Sequence, residues 1–324
     1  MASFAAYLGN HPNISIAELS ANIADFTVER MVGSSILLFQ TNQPLSQKDL
    51  MQWGGIFLLA QQVSTPKTSI DDVPHLLSKQ VETMKGKIAF SLRAYGVPRH
   101  TVHELYRSCK HALKKIGKPS RYIGTERKPP VSAQLIDSGI IDGKHGCELI
   151  LLADEEKKFF WVGRTVAVQD PNRYAKRDME KPVRDTRVGL MPPKLAQILL
   201  NFGAWLKLQS MGPGHEPKSG SRTRLKFAIL DPFCGTGVVA MEAVLRGWPT
   251  YASDVSLKAV HGCEKNLDWL RQEFKILKRE TPSTVWKQDA TKPFESKFLA
   301  ELLEGHGVIV TETTLGPSLT DRPT

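Results

Sequence analysis

Cysteine is sparse in this chain, with four residues in 324. Cys109, Cys147, Cys234 and Cys263 stand far apart, none forms a C-x-x-C pair, and the nine histidines do not join them at ligand spacing. That pattern argues against a zinc site or any other bound metal, and against a disulfide-stapled secreted domain. Free thiols in a reducing compartment, and so a cytoplasmic location, are the expectation. Long hydrophobic runs are missing as well. No apolar stretch approaches the roughly 18 residues that a membrane span requires, so no membrane partner is expected. Met1 to Leu8 is mildly apolar but lacks a basic leader and a cleavage site, and reads as a first strand rather than a signal peptide. With 41% hydrophobic and 23% charged residues the composition is that of a folded globular protein, and the length suffices for two or three domains.

Acidic residues are scarce in one stretch. The chain carries a net charge of +10, and the segment from Lys85 to Lys128 alone, with twelve Lys or Arg against Glu104 and Glu126, matches that excess. On charge alone, such an imbalance favours a polyanionic partner or an anionic membrane surface. Inside it, Val102, Leu105, Tyr106, Cys109, Ala112, Leu113 and Ile116 follow a helical apolar stripe, with Thr101 and Glu104 as a capping box and Gly117 as the stop. The opposite face carries Arg107, Lys110, His111, Lys114 and Lys115, and Arg121 follows shortly after. A merely solvated face usually mixes signs, whereas this one is a cationic ridge suited to phosphate contact.

After the helix, strand-like runs at Val131–Ile136, Glu148–Leu152, Phe159–Val162 and Thr165–Val168 alternate with turn signals at Asp142-Gly143 and Asp154-Glu155. This predicts a small α+β unit over about 65–170, preceded by a small α/β segment over 1–64. A tract of mixed charge from Arg164 to Lys194 reads as a linker held by ion pairs or as an RNA-facing arm. Pro192-Pro193 then open a helix with Leu195, Ile198, Leu199, Phe202 and Trp205 on its apolar face. The Gly/Pro/Ser-rich stretch from Gln209 to Arg224 reads as a surface loop, so 171–224 is a linker with one helix.

The sharpest signal is Lys226-Phe-Ala-Ile-Leu-Asp-Pro-Phe-Cys-Gly-Thr-Gly237. A short apolar strand runs into a glycine turn, a helix follows over Val238–Arg246, and a second strand, Thr250–Ser253, leads to Asp254. Gly235 and Gly237 let the backbone turn sharply and approach a ligand with no Cβ in the way. Asp254, 17 residues past Gly237, is placed to accept both hydroxyls of a ribose. Taken alone, G-T-G-V-V-A also fits the dinucleotide fingerprint, which keeps an NAD-binding oxidoreductase in view. Asp231-Pro232 argues against it: a carboxylate at the tip of the first strand repels a pyrophosphate and attracts an ammonium group. S-adenosyl-L-methionine, with an α-amino group, a ribose and a cationic sulfonium, suits these features. Downstream, Asp289 follows a short strand and is placed either for an adenine amino group or as an ordinary turn aspartate. The run Gly307–Thr311 is a fourth buried strand, ending in Glu312-Thr313-Thr314-Leu315.

The phrase Asp231-Pro-Phe-Cys-Gly-Thr-Gly237 resembles the donor motif of the THUMP-containing tRNA guanine-N2 methyltransferases, relatives of the 23S rRNA guanine-N2 methyltransferases. The resemblance extends to Gly163–Asp170, to Arg177-Asp178 and Lys181-Pro-Val-Arg-Asp185, to Gly189–Ala196 and, less specifically, to Gly9–Leu19 and Trp53–Ile56. It implies an α/β fold in three parts: a ferredoxin-like N-terminal segment (1–64), a THUMP-like RNA-binding domain (65–170) and, from 225 to 324, a class I Rossmann-like methyltransferase domain. It implies S-adenosyl-L-methionine held by Asp231, Phe233, Gly235, Thr236, Gly237, Asp254 and Asp289, a tRNA gripped by the basic unit, and N2-methylguanosine or its dimethyl form at position ten as product. The family's catalytic tetrad, an acidic residue or Asn, then Pro, then Pro or another residue, then an aromatic, would here be Glu312-Thr313-Thr314-Leu315. The acceptor Glu312 is kept, while the proline and the aromatic are not. Only four strands fit between Phe227 and Thr311, so the sheet is expected to be incomplete, to be finished by a protein partner or a further C-terminal segment. A non-catalytic tRNA-binding protein is the alternative from a different class.

Overall fold

A computed structural model describes residues 1–125, 128–154, 159–185, 190–212, 228–294 and 307–313. The chain divides into two compact units, one of residues 1–51 with 55–172, the other of 52–54 with 173–324.

In the first unit the order is β1 (Ala2–Leu8), α1 (Pro12–Asn22), β2 (Thr27–Val32), β3 (Ile36–Thr41), α2 (Gln47–Leu50), β4 (Ile56–Gln62), a 3-10 turn at Ile70–Asp72, α3 (Val73–Val81), β5 (Ile88–Tyr95), α4 (Arg99–Lys115), β6 (Ser120–Tyr122), α5 (Ser132–Asp137), β7 (Gly146–Ala153) and β8 (Phe160–Val168). All eight strands join one sheet in the order β2-β3-β1-β4-β8-β7-β5-β6. The first four strands, with α1 and α2 interleaved, have ferredoxin-like connectivity. The antiparallel pairing of β4 with β8 carries the sheet onward across the expected boundary near residue 64. β5, β6 and β7 run parallel to one another.

Alternation along the strands divides the core. Phe90, Leu92, Leu149 and Leu151 pack on one side with Leu77 of α3 and Leu105, Cys109 and Leu113 of α4. Ala89, Ile150 and Leu152 pack on the other with Leu135 of α5. β7 is buried along its whole length, as an apolar strand covered on both faces must be.

Three local readings need correction. α4 begins at Arg99 with Pro98 before it, so Thr101 lies inside the first turn rather than capping it; proline, with fixed φ and no N–H to satisfy, starts the helix earlier. The Gly117 stop is as expected: Gly117 takes φ +72°, and Gly117 and Lys118 donate their N–H groups to Lys114 and Leu113 carbonyls at 3.0 and 2.9 Å, a Schellman close. Val131–Ile136 is not a strand. Ser132–Asp137 is helical, with the Val131 N–H donating to Gln134 Oε1 at 3.1 Å, and only Leu135 of this helix is buried. Phe159–Val162 and Thr165–Val168 are not separate strands but lie on the single strand β8. Gly163 sits in its middle because a Cβ there would stand 2.2 Å from the ring of Trp161, which covers it.

The second unit contains most of α6 (Pro171–Met179), then α7 (Pro193–Met211), β9 (Ala228–Asp231), α8 (Val238–Leu245), β10 (Thr250–Asp254), α9 (Leu257–Phe274), β11 (Ser283–Lys287) and β12 (Gly307–Ile309). The four strands among its described residues are all parallel, in the order β11-β10-β9-β12. From β9 the chain winds outward to β10 and β11, then returns to lay β12 on the other side of β9. The expected doubly wound topology is present over these strands. Ala196, Leu200, Ala204 and Leu208 of α7 share a core with Val239 and Ala243 of α8 and with Val310. The mixed-charge tract is held by ion pairs: Arg177 Nε lies 2.6 Å from the buried Glu242, whose other oxygen accepts from Gln197 at 2.9 Å, and Lys258 pairs with Asp185 at 3.0 Å. The stretch expected as a Gly/Pro/Ser loop lies mostly outside the described residues. No helix among the described residues is long and apolar enough to cross a membrane.

Candidate functional site

The reversal of winding direction falls between β9 and β12, and open parallel sheets bind ligands beyond the carboxyl ends of their strands at such a point. Asp231, the last residue of β9, lies there. The residue is 2% exposed, and its carboxyl accepts the Thr311 hydroxyl at 2.6 Å and the Phe233 N–H at 3.3 Å. Burial pushes its pKa up to about 6; the bond from Thr311 works against that rise, and the charges of Asp254 and Glu312 add to it.

The glycine turn follows directly. Gly235 has φ +50°, and a Cβ built on it would meet nothing within 4 Å, so its backbone faces open space. Gly237 has φ +87°, and a Cβ there would stand 2.5 Å from Cys263 Sγ, which lets α8 start hard against α9. Asp254, at the end of β10, accepts the Gly235 N–H at 3.0 Å and the Ser256 N–H at 2.9 Å. A carboxylate offers about four acceptor positions, so two remain for a ligand. Phe233 is 43% exposed beside the turn, and Thr236 is half-buried.

Asp289 is drawn into its own turn. Its Oδ1 accepts both the N–H and the hydroxyl of Thr291, at 3.0 and 2.7 Å, and these bonds hold its carboxyl below the usual carboxylate range. Glu312 is half-buried just past Thr311 and Thr313 is exposed, while Thr314 and Leu315 lie outside the described residues. Cys234 and Cys263 are buried free thiols, and the hydrogen bond between them raises the Cys234 pKa.

The carboxylates Asp231 and Asp254, with Glu312 close enough to act on Asp231, therefore converge around an open glycine turn. This is a poor seat for a pyrophosphate. It suits a ligand with an ammonium group for Asp231 and hydroxyls for Asp254. Two residues with no sequence expectation take part: Thr311, the polar end of an otherwise apolar run, and Asn266, a polar residue fully buried on the apolar face of α9 among Cys263, Leu267 and Leu270. A polar residue at a core position was the signal for Asn266.

In the first unit, Arg107, Lys110, Lys114, Lys115 and Arg121 are all exposed, as is His111. None of these five cations pairs with a carboxylate among the described residues. Two other members of the basic segment do not join them. Arg93 turns inward to the buried Glu148 at 3.1 Å, and Lys118 folds onto the Met84 carbonyl. Arg127 lies outside the described residues. An open cavity of about 490 Å³, lined by Lys87, Arg121 and His145 and also by Asp137 and Asp142, lies on this unit. Among the described residues no group of His, Cys, Asp and Glu is arranged to hold a metal.

The fold and the turn define a class: a parallel, doubly wound α/β sheet with a glycine turn at its switch point. Over 79 residues the chain is 35% identical to a tRNA (guanine(10)-N2)-dimethyltransferase of Methanothermobacter thermautotrophicus, a match covering 24% of this chain and 18% of that protein. The chain thus spans under a fifth of the curated relative in that match. No family model matches. Among solved structures, TrmN from Thermus thermophilus overlaps 90% of this chain and 74% of its own at 14% identity and a TM-score of 0.47. A 4-thiouridine synthetase in an RNA complex with bound ATP overlaps 90% and 62% at 10% identity and a TM-score of 0.37.

Proposed function

We propose that this chain is an S-adenosyl-L-methionine-dependent RNA methyltransferase acting on the N2 amino group of a guanosine in tRNA. The observation that carries the reading is the gathering of Asp231, Asp254 and Glu312 at the switch point around a glycine turn open at Gly235.

When bound, the cofactor supplies a methyl group made electrophilic by a sulfonium. Asp231 would hold the donor's ammonium, an interaction worth most at a site so withdrawn from water. The turn at Gly235 and Gly237 lets the backbone approach the ligand, and the free acceptor positions of Asp254 suit the ribose hydroxyls. Asp289 is the candidate for the adenine amino group; to serve, its Oδ2 must do so, since Oδ1 is committed to Thr291. Glu312 would accept an N–H of the target amino group, turning the nitrogen lone pair toward the methyl and taking up the proton that the product amine releases. Such acid–base and positioning roles contribute about 10² to 10⁴ in rate. The exposed row Arg107, Lys110, Lys114, Lys115 and Arg121 would hold RNA phosphates.

A second reading is favoured by one observation: Thr313 and Leu315 stand where the family has proline and an aromatic to stack on the base. On that reading the chain binds tRNA without methylating it. Calorimetric titration with S-adenosyl-L-methionine, with NAD as control, tests the proposal, followed by tritium transfer to unmodified tRNA. Micromolar binding of the donor alone is expected, with label appearing on N2 of guanosine. A folded protein that shifts tRNA in a gel but takes up neither ligand would establish the second reading instead.

A further inference from the structure

The sequence Lys181-Pro-Val-Arg-Asp185 forms no helix or strand, yet it is fixed more firmly than a linker requires. Upstream it is anchored by the buried Arg177–Glu242 pair at 2.6 Å. In its middle the Val183 N–H donates to Asn266 Oδ1 at 2.9 Å, and the Val183 carbonyl accepts from Asn266 Nδ2 at 2.9 Å. At its end Asp185 pairs with Lys258 in the first turn of α9. Gly262 makes room for it: a Cβ on Gly262 would stand 3.0 Å from Val183 Cγ1 and 3.6 Å from Thr236 Cγ2.

Asn266 has one further bond. The same Nδ2 donates to the carbonyl of Thr236 at 2.8 Å. Thr236 lies between the two glycines that take positive φ, Gly235 and Gly237. The amide of Asn266, itself 0% exposed, thus has one acceptor and two donors in use, and they join the 181–185 strap to the middle of the glycine turn. A buried amide with both N–H groups and its oxygen engaged favours one arrangement, and losing it leaves the Val183 N–H and two carbonyls short of partners.

We infer that Asn266 is a positioning residue: it locks the Lys181–Asp185 strap to the Thr236 carbonyl and so holds the glycine turn in its donor-binding shape. The part concerning the donor rests on the methyltransferase reading; the coupling of strap and turn does not. Because Gly235 and Gly237 have wide conformational freedom, the turn needs an external clamp, and the strap with Asn266 provides it.

The test uses the full chain. Hydrogen exchange of the ligand-free protein, read on peptides covering 182–185 and 233–238, is compared for wild type, Asn266→Ala and Val244→Ala, the last a core truncation on α8 that serves as the stability control. Asn266→Ala should lose protection in both peptides together and weaken S-adenosyl-L-methionine binding at least tenfold. Val244→Ala should leave donor affinity within twofold of wild type. Loss of protection in the strap alone, or a donor affinity for Asn266→Ala within twofold of wild type, overturns the inference. If wild type binds no donor, the methyltransferase reading fails while the exchange data still decide the coupling. Should Asn266→Ala not fold, Gly262→Ala decides. Its methyl presses on Val183, so donor affinity should fall severalfold and return when Val183→Ala removes the pressing group. No fall, or a fall that Val183→Ala does not repair, overturns it as well.

Discussion

The two units handle charge in opposite ways. In the first, cations stand on the outside of α4 and on β6, exposed and without carboxylate partners among the described residues, over a helix whose other face is an apolar stripe. In the second, the charges that matter are carboxylates at strand ends, and the central one, Asp231, is buried and doubly hydrogen-bonded. An exposed cation costs little and gains little in the free protein, because water already solvates it. A buried carboxylate costs the fold something unless a cation compensates it, as Arg93 does for Glu148; at Asp231 the proposed donor ammonium would take that part. Surface charge is suited to diffuse, salt-sensitive binding of a polymer, and buried charge to one small, well-placed ligand.

The sharpest way to break this contrast is at Asp231. Asp231→Asn keeps an acceptor for Thr311 but removes the charge. Donor affinity should fall about a hundredfold, in line with the loss of a charge-assisted hydrogen bond of about 3 kcal/mol, while tRNA retardation in a gel stays unchanged. Stability should move the other way. A carboxyl whose pKa rises on folding from 3.8 to about 6 contributes stability below 3.8 that is lost as pH climbs through about 6. Near pH 8 the charged form therefore costs about 3 kcal/mol. Asp231→Asn should melt several degrees above wild type at pH 8 and show no such gain near pH 4. A variant that still binds donor, or that melts lower at pH 8, would place the binding charge elsewhere.

Next in size is Glu312→Gln. Turnover should drop between tenfold and a hundredfold while donor affinity stays within twofold, since Glu312 is assigned to the acceptor base. Full turnover removes it from that role.

Third is the cationic face. Replacing Arg107, Lys110, Lys114 and Lys115 together with alanine should weaken tRNA binding without touching donor binding. The slope of log affinity against log salt should shrink by roughly 0.7 to 0.9 for each phosphate that the variant no longer neutralises. An unchanged slope would mean that RNA binds elsewhere on the chain.

How far this contrast was legible in the sequence differs between its two halves. The glycine turn was readable because Asp231, Gly235, Gly237 and Asp254 lie within one β-α-β unit, where backbone geometry fixes spacing. The helix bearing the cations was readable from its 3.6-residue stripe and the Gly117 stop. What the sequence concealed depended on distant partners. Arg93 counts toward the basic segment until the sheet places Glu148 of β7 beside it. Ser132–Asp137 has the apolar density of a strand, yet a helix satisfies its amides locally. Asn266, Val183 and Thr236 are separated by up to 83 positions, and no local period links them.

Thr311 belongs to the same class, and it carries the smallest effect. Its hydroxyl donates to Asp231 at 2.6 Å and works against the rise that burial imposes on that carboxyl. Thr311→Val keeps the shape and removes the donor. The net loss of one such bond is about 1 kcal/mol, or roughly fivefold in affinity. With the bond gone, Asp231 protonates at a higher pH than about 6, and a protonated carboxyl no longer attracts an ammonium. Donor affinity of the wild type should fall as pH drops through about 6, and the same fall in Thr311→Val should begin at higher pH. The ratio between the two proteins should therefore be close to one at pH 8 and widen as the pH falls to about 6 and below. A ratio that does not vary with pH would mean that Thr311 shapes the pocket without tuning the charge on Asp231, and the buried carboxylate would then owe its ionisation to the ligand alone.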